Sequence, residues 1–505
     1  MNQGRLKKIV IVGGGTAGWM TAAAFARCLD PKQYAVKLVE SDLIGIIGVG
    51  EATIPAIREF NHFLGLDEKE FMSKTQATFK LGIEFRNWGR QEESYIHPFA
   101  PFGQAINGVG FHHYWLKMRQ GGDTTSFEDY SLPIWAARSG KFDYPSLDSR
   151  SLLSTYDYAF HFDAGLYAVY LRAWSEQRGI VRIEGKVIEV TQHNESGFVE
   201  SITLESGQRI DGDLFIDCTG FRGLLIEQTL NTGFEDWSHW LPCDRAVAVP
   251  SENVGEPVPH TRATALTAGW QWRIPLQHRT GNGHVYCSEY ISDDEAVHMV
   301  LDNIEGATIA EPRLLRFRTG KRKKAWHKNC VAIGLSGGFL EPLESTAIYL
   351  IQSAIMKLIR SFPDAGFNAV ETEEFNRQMD TKFGQVRNLL ILHYKETQRD
   401  DSSFWDYCRN MSIPEELEHR KQLFRHHGQV AYKKSDLFNE PSWLAVYIGQ
   451  GVVPEHYDPR VNNVSESEIR QRLAQIRQII QHSAASLPSH ASTIARHCAA
   501  EVMAA

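Results

Sequence analysis

The hydrophobic pattern of the chain begins with an apolar run at residues 8–12, KIVIV, which predicts a strand buried in a parallel sheet. A GxGxxG segment follows at 13–18, and apolar residues then recur at helical spacing up to Leu29. A second apolar run, AVKLVES, covers 35–41 and contains Glu40. The pattern therefore predicts a strand, a tight turn, an amphipathic helix and a second strand, in that order.

Later segments alternate between strand and helix patterns. Short runs separated by turn residues between 181 and 218 predict a β-meander, whose last strand ends in the DCTG of residues 217–220. The segment NCVAIGLSGG at 329–338 predicts another strand that runs into glycines. From 360 onwards, apolar residues at helical spacing, clearest in 372–396 and 466–487, predict a mostly helical end.

The order of these elements predicts an α/β fold with a Rossmann-like FAD-binding core, because a βαβ unit followed by a β-meander is typical of FAD-domain chains. We expect this core to be discontinuous and to comprise approximately residues 1–85, 150–230 and 310–360. The largely helical, substrate-covering part of the same integrated unit would comprise 86–149, 231–309 and 361–505.

Three glycines of the opening turn have separate physical tasks. Gly13 lets the chain turn tightly, Gly15 lets the backbone approach a pyrophosphate, and Gly18 lets the helix pack on the strand. Free N–H groups at the helix N-terminus favour the phosphate charge, and Glu40 would accept hydrogen bonds from a ribose. The motif alone does not choose between FAD and NAD. The residues expected to contact the dinucleotide here are Gly13, Gly15, Thr16, Ala17, Gly18 and Glu40.

Composition narrows the class of protein. The 505 residues carry a net charge of −8, with 53 basic and 61 acidic side chains, so nothing indicates nucleic acid as a general partner. The seven cysteines stand singly, which suits reduced thiols, and no Cys/His spacing indicates a metal. His112 and His113 are predicted on a strand, where neighbouring side chains point to opposite faces. Without a signal peptide or an apolar run of about 18–20 residues, we expect a cytoplasmic protein with no metal and no membrane contact.

Several ordered stretches carry a specific resemblance. The segment GWQWRIP at 269–275 is joined by GVGEATIP at 48–55, TFKLGIEF at 78–85 and GFLEPLEST at 338–346. Together with the opening glycine turn, these segments resemble the signatures of the flavin-dependent tryptophan halogenase family. The segment SWLAVYIGQGVVPEHYDP at 442–459 is similar to that family's C-terminal region. The resemblance spans nearly the whole chain.

The resemblance implies a two-component enzyme that halogenates an electron-rich aromatic, such as indole or tryptophan, with chloride or bromide. Its cofactor would be FAD, supplied as FADH2 by a separate NADH-dependent flavin reductase, because the chain shows no second nucleotide motif. In the family, reduced flavin, O2 and halide yield hypohalous acid, which moves through a tunnel to a separate pocket. A flavin-dependent aromatic monooxygenase that hydroxylates its substrate and a flavin-binding module used for sensing are the alternatives. The native substrate, the ring position and homodimer formation stay open.

The resemblance also implies catalytic roles. Lys80 would hold the hypohalous acid, as a hydrogen-bonded acid or as a haloamine, whereas its own stretch would equally suit a lysine on the solvated face of a strand. Glu344 would stabilise the positive charge on the ring and could take the released proton, while Glu341 would be structural. Trp270 and Trp272 alternate on a strand, share one face and would separate flavin from substrate.

The remaining site positions follow from the same resemblance. Backbone amides of Thr346 and Ala347, at the start of an amphipathic helix, would bind halide. The family commonly has glycine where this chain has Ala347, which leaves the preference for chloride or bromide open. The substrate pocket would include His97, Phe99, Ser345 and Trp443. A flavin strap, in which Gly48 and Gly50 allow positive φ, and one residue of the 329–338 segment would contribute Gly48, Val49, Gly50, Glu51, Ala52, Thr53 and Leu335.

Overall fold

The computed structural model describes residues 6–42 and 50–500. The strands are β1 (Lys8–Val12), β2 (Ala35–Glu40), β3 (Gly50–Ala52), β4 (Thr78–Lys80), β5 (Gly82–Arg86), β6 (Ser94–Pro98), β7 (Ala159–Asp163), β8 (Val181–Glu184), β9 (Val187–Gln192), β10 (Val199–Leu204), β11 (Arg209–Asp211), β12 (Leu214–Asp217), β13 (Phe234–Asp236), β14 (Arg245–Ser251), β15 (Thr261–Leu266), β16 (Gly269–Pro275), β17 (Thr280–Tyr286), β18 (Arg313–Arg316), β19 (Gly320–Arg322), β20 (Trp326–His327), β21 (Cys330–Ala332) and β22 (Gly338–Phe339). The α-helices are α1 (Thr16–Cys28), α2 (Ala56–Leu64), α3 (Glu68–Lys74), α4 (Phe111–Gln120), α5 (Leu132–Arg138), α6 (Ala164–Glu176), α7 (Asp293–Asp302), α8 (Ala347–Arg360), α9 (Ala369–Lys395), α10 (Ser403–Asn410), α11 (Glu415–His427), α12 (Glu440–Gly449), α13 (Glu466–Ser486) and α14 (His490–His497).

A six-stranded sheet in the order β20-β21-β12-β1-β2-β8 forms the centre of the nucleotide-binding region. All its strands are parallel except β20. Ile9 and Ile11 of β1 pack in the main hydrophobic core, and Val10 and Val12 pack in a second core on the other face. Burial on both faces explains why this strand is continuously apolar. The predicted α/β, Rossmann-like fold is confirmed.

The second core lies under the predicted β-meander. Strands β9, β10 and β11 form a three-stranded antiparallel sheet, as the turn pattern indicated. Ile202 and Leu204 of β10 alternate along the strand and are fully buried, which is the period expected of a strand with one covered face. The strands of the six-stranded sheet come from distant parts of the chain, while the domain boundaries proposed above stay a prediction.

Two further sheets position the candidate site. A seven-stranded sheet has the order β18-β14-β17-β16-β15-β5-β6, and a small antiparallel sheet has the order β3-β7-β4. Strand β4 ends at Lys80, β6 carries His97, and β16 carries Trp270 and Trp272. The two sheets follow each other closely because Leu81 alone separates β4 from β5.

The C-terminal region is helical, as its apolar spacing predicted. Helix α9 packs on α8 and α10, α12 packs on β6, and α13 packs on α4 and α5. The stretch from Leu389 to Leu392 in α9 is fully buried, so this long helix enters the core at its C-terminal half. None of the described helices is both long and apolar enough to span a membrane.

His112 and His113 are the clearest error of the predicted secondary structure. They lie in the first turn of α4 rather than on a strand, and their ring centroids are 4.0 Å apart. The aromatic-rich run FHHYWL suits strands by propensity, but its buried side chains follow a helical face here. Within the described chain, the side chains close enough together to share a cation are instead three exposed residues, His426, Glu455 and His456.

Candidate active site

Lys80 lies at the end of β4 and has no exposed surface. Its Nζ donates a hydrogen bond to Ser345 Oγ at 2.7 Å and lies 5.4 Å from the centroid of the Phe99 ring. Burial lowers the pKa of Lys80 to about 7, against the opposing effect of the Glu344 charge. The alternative of a solvated strand face is therefore wrong, and Lys80 is an amine that titrates near neutral pH inside the protein.

The strand around Lys80 explains its direction. Phe79 stacks on Phe142 with ring centroids 4.0 Å apart, and Lys80 pairs with Ala159 of β7. Neighbouring side chains of a strand point to opposite faces. The Lys80 side chain therefore points away from this aromatic cluster and toward the segment that contains Ser345.

That segment is a sharp turn. Residues Pro342–Glu344 form one turn of 3-10 helix, and Ser345 then adopts a left-handed backbone with φ 58°. Such a conformation at a residue other than glycine costs roughly 1–3 kcal/mol and is frequent at functional sites. The turn points the hydroxyl of Ser345 at Lys80 and brings Glu344 into the same buried region.

Glu344 is held between two buried histidines. His97 Nδ1 is 2.9 Å from Oε2 and 3.1 Å from Oε1, and His393 Nε2 is 2.6 Å from Oε1. Burial by itself would raise the pKa of Glu344, but electrostatic attraction to His97 and the hydrogen bonds from both histidines outweigh it and hold that pKa at about 2. Glu344 is therefore a fixed carboxylate whose charge reaches Lys80.

His393, Tyr95 and Gln450 belong to this site and were missed by the sequence reasoning. Tyr95 OH lies 2.9 Å from His393 Nδ1, and Gln450 Nε2 donates to Tyr95 OH at 3.0 Å. All three side chains are buried. The available signal was a histidine inside the apolar helical run LLILHY, but a lone histidine on such a face does not reveal its partner.

One of the two tryptophans of β16 is anchored by a carboxylate. Trp270 and Trp272 have ring centroids 6.2 Å apart, and both are buried. Trp270 Nε1 donates to Glu341 Oε2 at 2.8 Å, and Tyr394 OH donates to the same oxygen at 2.9 Å. Burial raises the pKa of Glu341 to about 7, although both hydrogen bonds oppose the shift. Glu341 therefore anchors Trp270 and Tyr394.

The glycine turn fits a dinucleotide. Gly13 has φ 110°, and a Cβ on Gly18 would lie 1.9 Å from the Gly13 carbonyl oxygen, so both positions need glycine. A Cβ on Gly15 would meet no atom within 4 Å. In the described chain, the backbone N–H groups of Thr16 and Ala17 at the start of α1 have no hydrogen-bond partner. Open space above Gly15 and free donors beside it are what a pyrophosphate requires.

Glu40 lies beside this turn, at the end of β2. A Cβ on Gly14 would overlap its carboxylate. The carboxylate already accepts a hydrogen bond from Trp19 Nε1 at 3.3 Å and forms an ion pair with Arg182. A ribose would therefore share Glu40 with Arg182, a partner that sequence reasoning missed.

Comparison with known proteins decides the family. The tryptophan halogenase family model matches residues 8–466. The chain belongs to the tryptophan halogenase family. The tryptophan 6-halogenase SttH of Streptomyces toxytricini is 34% identical to it over 97% of this chain and 98% of SttH. Two solved flavin-dependent halogenases, Xcc4156 from Xanthomonas campestris and BrvH from Brevundimonas sp. BAL3, are each 47% identical and cover 98% of this chain and 99% of their own, with TM-scores of 0.95 and 0.94.

Family membership confirms the enzyme class that the sequence motifs implied. The chain is a flavin-dependent halogenase, and its solved relatives match it over nearly its full length. The hydroxylase and the sensing module are correspondingly not favoured.

The predicted flavin strap of this halogenase is described only in part. Gly48 and Val49 lie outside the described residues. Gly50 opens β3 and pairs with Asp163 of β7. The antiparallel pairing of β3 with β7 keeps it extended. Thr53 is buried, and its Oγ1 donates to the Phe160 carbonyl oxygen at 2.7 Å.

The other predicted cofactor residues lie on β3 and on a turn after β21. Burial raises the pKa of Glu51 to about 7, and its neighbour Ala52 is buried. Leu335 lies in the turn Gly334–Ser336, and a Cβ on Gly334 would be 2.7 Å from the Cβ of Ala17. This turn therefore packs directly against the start of α1 and the glycine turn.

The predicted halide-binding residues lie at the N-terminus of α8. Thr346 is buried and precedes the helix, and Ala347 is its first residue. Over residues 6–42 and 50–500, neither backbone N–H group has a hydrogen-bond partner, and the Thr346 hydroxyl also has none. Unpaired donors at the positive end of a helix dipole suit an anion.

The predicted substrate residues divide into two sets. His97 lies on β6, Phe99 follows the end of that strand, and the Phe99 ring lies near Lys80. Trp443 is on α12, where its Nε1 donates to the Phe438 carbonyl oxygen at 3.3 Å. The Phe438 ring is 6.4 Å from the His97 ring. Phe438, which sequence reasoning missed, thus links Trp443 to the site.

Proposed function

We propose that this halogenase places chloride or bromide on an electron-rich aromatic such as indole or tryptophan, using O2 and FADH2 supplied by a separate NADH-dependent flavin reductase. The observation that carries the proposal is the buried hydrogen bond from Lys80 to Ser345, with Glu344 fixed beside it. A donor and a carboxylate in one buried region can act on an electrophile and on the cation it creates.

The nucleotide-binding residues would hold FAD. Residues 13–18 would cradle its pyrophosphate, Glu40 would contact its ribose, and the strap that includes β3, with Leu335, would flank its ring system. When bound, reduced FAD would react with O2 and a halide ion to supply hypohalous acid. The backbone amides of Thr346 and Ala347 would hold the halide, because both are free donors at the start of α8.

Lys80 would receive the hypohalous acid, HOX, where X is the halogen. Its ammonium group donates a hydrogen bond to the oxygen of HOX and transfers a proton as the O–X bond breaks, so that water leaves. A ring π electron pair forms the new C–X bond. Burial, which lowers the pKa of Lys80 to about 7, makes this proton transfer easier than from an exposed lysine.

Glu344 would stabilise the ring cation that forms when the halogen adds. Its carboxylate is fixed by His97 and His393 before the reaction, so no reorganisation is needed as the charge develops. The proton that the ring then releases would pass to the group formed by these three side chains.

Trp270 and Trp272 would separate the flavin from the aromatic substrate. A packed wall lets small HOX through by a side path but keeps the substrate ring away from the flavin. Direct oxygen transfer to the ring would then be blocked, which is the physical reason that a hydroxylase is disfavoured. A cytoplasmic location and a homodimer stay predictions.

Product analysis tests the proposal. The enzyme is supplied with FAD, a flavin reductase, NADH, O2 and either bromide or chloride, with indole and tryptophan in separate reactions. We expect a product with the halogen isotope pattern by mass spectrometry in at least one of the four combinations. A hydroxylated product with no halogenated product under either halide would instead support a monooxygenase.

A further inference from the structure

A chain of hydrogen bonds behind Glu344 fixes which atoms carry protons. Gln450 Nε2 lies 3.1 Å from the backbone oxygen of His393, and only the amide nitrogen can donate to that oxygen. The same nitrogen donates to Tyr95 OH at 3.0 Å. The hydroxyl proton of Tyr95 is then directed at His393 Nδ1, which is 2.9 Å away.

This arrangement sets the tautomer of His393. Burial lowers the pKa of His393, which favours its neutral form, and a neutral imidazole that accepts at Nδ1 carries its proton on Nε2. That N–H donates to Glu344 Oε1 at 2.6 Å. Glu344 is therefore an acceptor on this side, in keeping with a carboxylate.

The same logic then applies to His97 on the other side of the carboxylate. His97 Nδ1 lies within 3.1 Å of both oxygens of Glu344, and an unprotonated nitrogen there would face the negative charge with its own lone pair. Nδ1 must therefore carry a proton, and when the ring holds only that one proton, Nε2 has a free lone pair. Nε2 has no hydrogen-bond partner in the part of the chain that the structure describes.

We propose that His97 Nε2 is the base that takes the proton from the halogenated ring, and that Glu344 acts on this proton through His97. The inference rests on the proposed function. His97 hydrogen-bonds to Glu344, whose charge also reaches Lys80, and the ring of Phe99, two residues after His97, lies near Lys80 Nζ. Glu344 fixes the tautomer of His97 and balances its charge once it is protonated, as a carboxylate does for the histidine of a hydrolytic triad.

The atoms and electrons of this scheme balance. Lys80 gives one proton to the oxygen of HOX, which leaves as water with the electron pair of the O–X bond. The C–H electron pair returns to the ring as its proton moves to His97 Nε2. Transfer of that proton back to Lys80 restores the site, so the sum is ArH plus HOX giving ArX plus water.

The kinetic test uses His97→Gln and His97→Ala in the full enzyme with FAD and the reductase, on indole and on ring-deuterated indole. We expect kcat for His97→Gln to fall by about 10²–10⁴-fold. A primary isotope effect should appear, because proton removal becomes rate-limiting. Added imidazole should restore part of the activity of His97→Ala but none to Lys80→Ala. His298→Gln, a change at an exposed histidine of α7, is the control and should behave as the unmodified enzyme.

A role for His97 in packing alone has a different signature. His97→Gln would then raise KM for indole, with kcat unchanged and no isotope effect, and that result would overturn the inference. Failure of the proposed function looks different again, since the unmodified enzyme would yield no halogenated product.

A second measurement needs no turnover. In enzyme labelled with ¹⁵N-histidine, the signals that disappear in His97→Gln identify His97. We expect these signals to report a proton on Nδ1 and none on Nε2. Glu344→Gln should change the ratio of the two His97 tautomers. A proton found on Nε2 would overturn the inference regardless of the substrate.

Discussion

The side-chain amine of Lys80 is fully buried. Its pKa falls from 10.5 to about 7 because burial disfavours the ammonium form, although Glu344 opposes the effect. Between these two values the unfolded chain binds more protons at this site than the folded chain does. The free energy of unfolding that Lys80 contributes therefore rises as the pH increases from about 7 to 10.5.

Lys80→Met should consequently stabilise the fold at neutral pH. Replacing a buried charge by an apolar side chain of similar length is expected to add about 1–4 kcal/mol to the free energy of unfolding. The gain should shrink toward about pH 10, where the lysine is neutral in both states. Urea unfolding at both pH values measures this gain in stability.

Lys69→Met, at an exposed position of α3, is the control and should change stability by less than about 0.5 kcal/mol. A Lys80→Met enzyme less stable than the unmodified one at neutral pH would refute this prediction.

Glu341 has the opposite pH dependence. Its pKa is raised from 4.5 to about 7 by burial, so the folded state holds the proton more tightly, and this stabilisation is present below pH 4.5 and lost as pH rises through 7. Glu341→Gln stays neutral and can still accept from Trp270 and Tyr394.

Thermal unfolding of two variants separates the effect of the Glu341 charge from the effect of its hydrogen bonds. Glu341→Gln should match the unmodified enzyme below pH 4.5 and exceed its stability above pH 7. Glu341→Leu leaves two buried donors unpaired and should lose roughly 1–3 kcal/mol at both pH values. Equal pH profiles for Glu341→Gln and the unmodified enzyme would show that the pKa of Glu341 is the same in the folded and unfolded states, which would contradict this prediction.

At the scale of elements, two glycines of the turn between β1 and α1 have different roles: Gly18 is needed for packing, and Gly15 leaves space for the cofactor. A Cβ on Gly18 would collide with the Gly13 carbonyl oxygen, whereas a Cβ on Gly15 would enter open space. The two glycines of one motif should therefore respond differently to the same substitution.

Gly15→Ala should fold with a stability change within about 0.5 kcal/mol but bind FAD at least tenfold more weakly, because the methyl group takes the space of the pyrophosphate. Gly18→Ala should lose stability as well as FAD affinity. FAD fluorescence titration and thermal unfolding of the two variants give the comparison. Unchanged FAD affinity in Gly15→Ala would place the pyrophosphate elsewhere.

The elements of the fold could be predicted where the signal is local. The strand at 8–12, the glycine turn and the helices at 372–396 and 466–487 each encode their structure in their own apolar spacing. The prediction failed for His112 and His113, where aromatic residues gave no clear period.

At the scale of the whole molecule, the site joins parts of the chain that no local pattern connects. Lys80, Glu344, His393 and Gln450 come from four separate segments, and their hydrogen bonds form only when α9 and α12 pack against the sheets. Motif resemblance therefore located the residues on the first two segments, while the network that supports them required the fold.

The proposed wall of Trp270 and Trp272 also depends on the whole fold. The Trp272 ring lies on Gly283 of the adjacent strand, where a Cβ would come within 2.0 Å of it. Trp272→Ala should open this wall and lower the amount of halogenated product per NADH consumed, with more hydrogen peroxide released. Trp272→Phe keeps an aromatic ring and should lose less. An unchanged product yield in Trp272→Ala would argue against a partition at this residue.

The central claim is that the buried amine of Lys80 delivers the halogen to the ring, and its most direct test is product formation by Lys80→Met beside the unmodified enzyme. With FAD, reductase, O2 and halide supplied equally, we expect halogenated product to fall by at least about 10²-fold. NADH and O2 consumption should continue, and free hypohalous acid should be captured by an added amine scavenger. Halogenation at an unchanged rate and ring position by Lys80→Met would contradict the account.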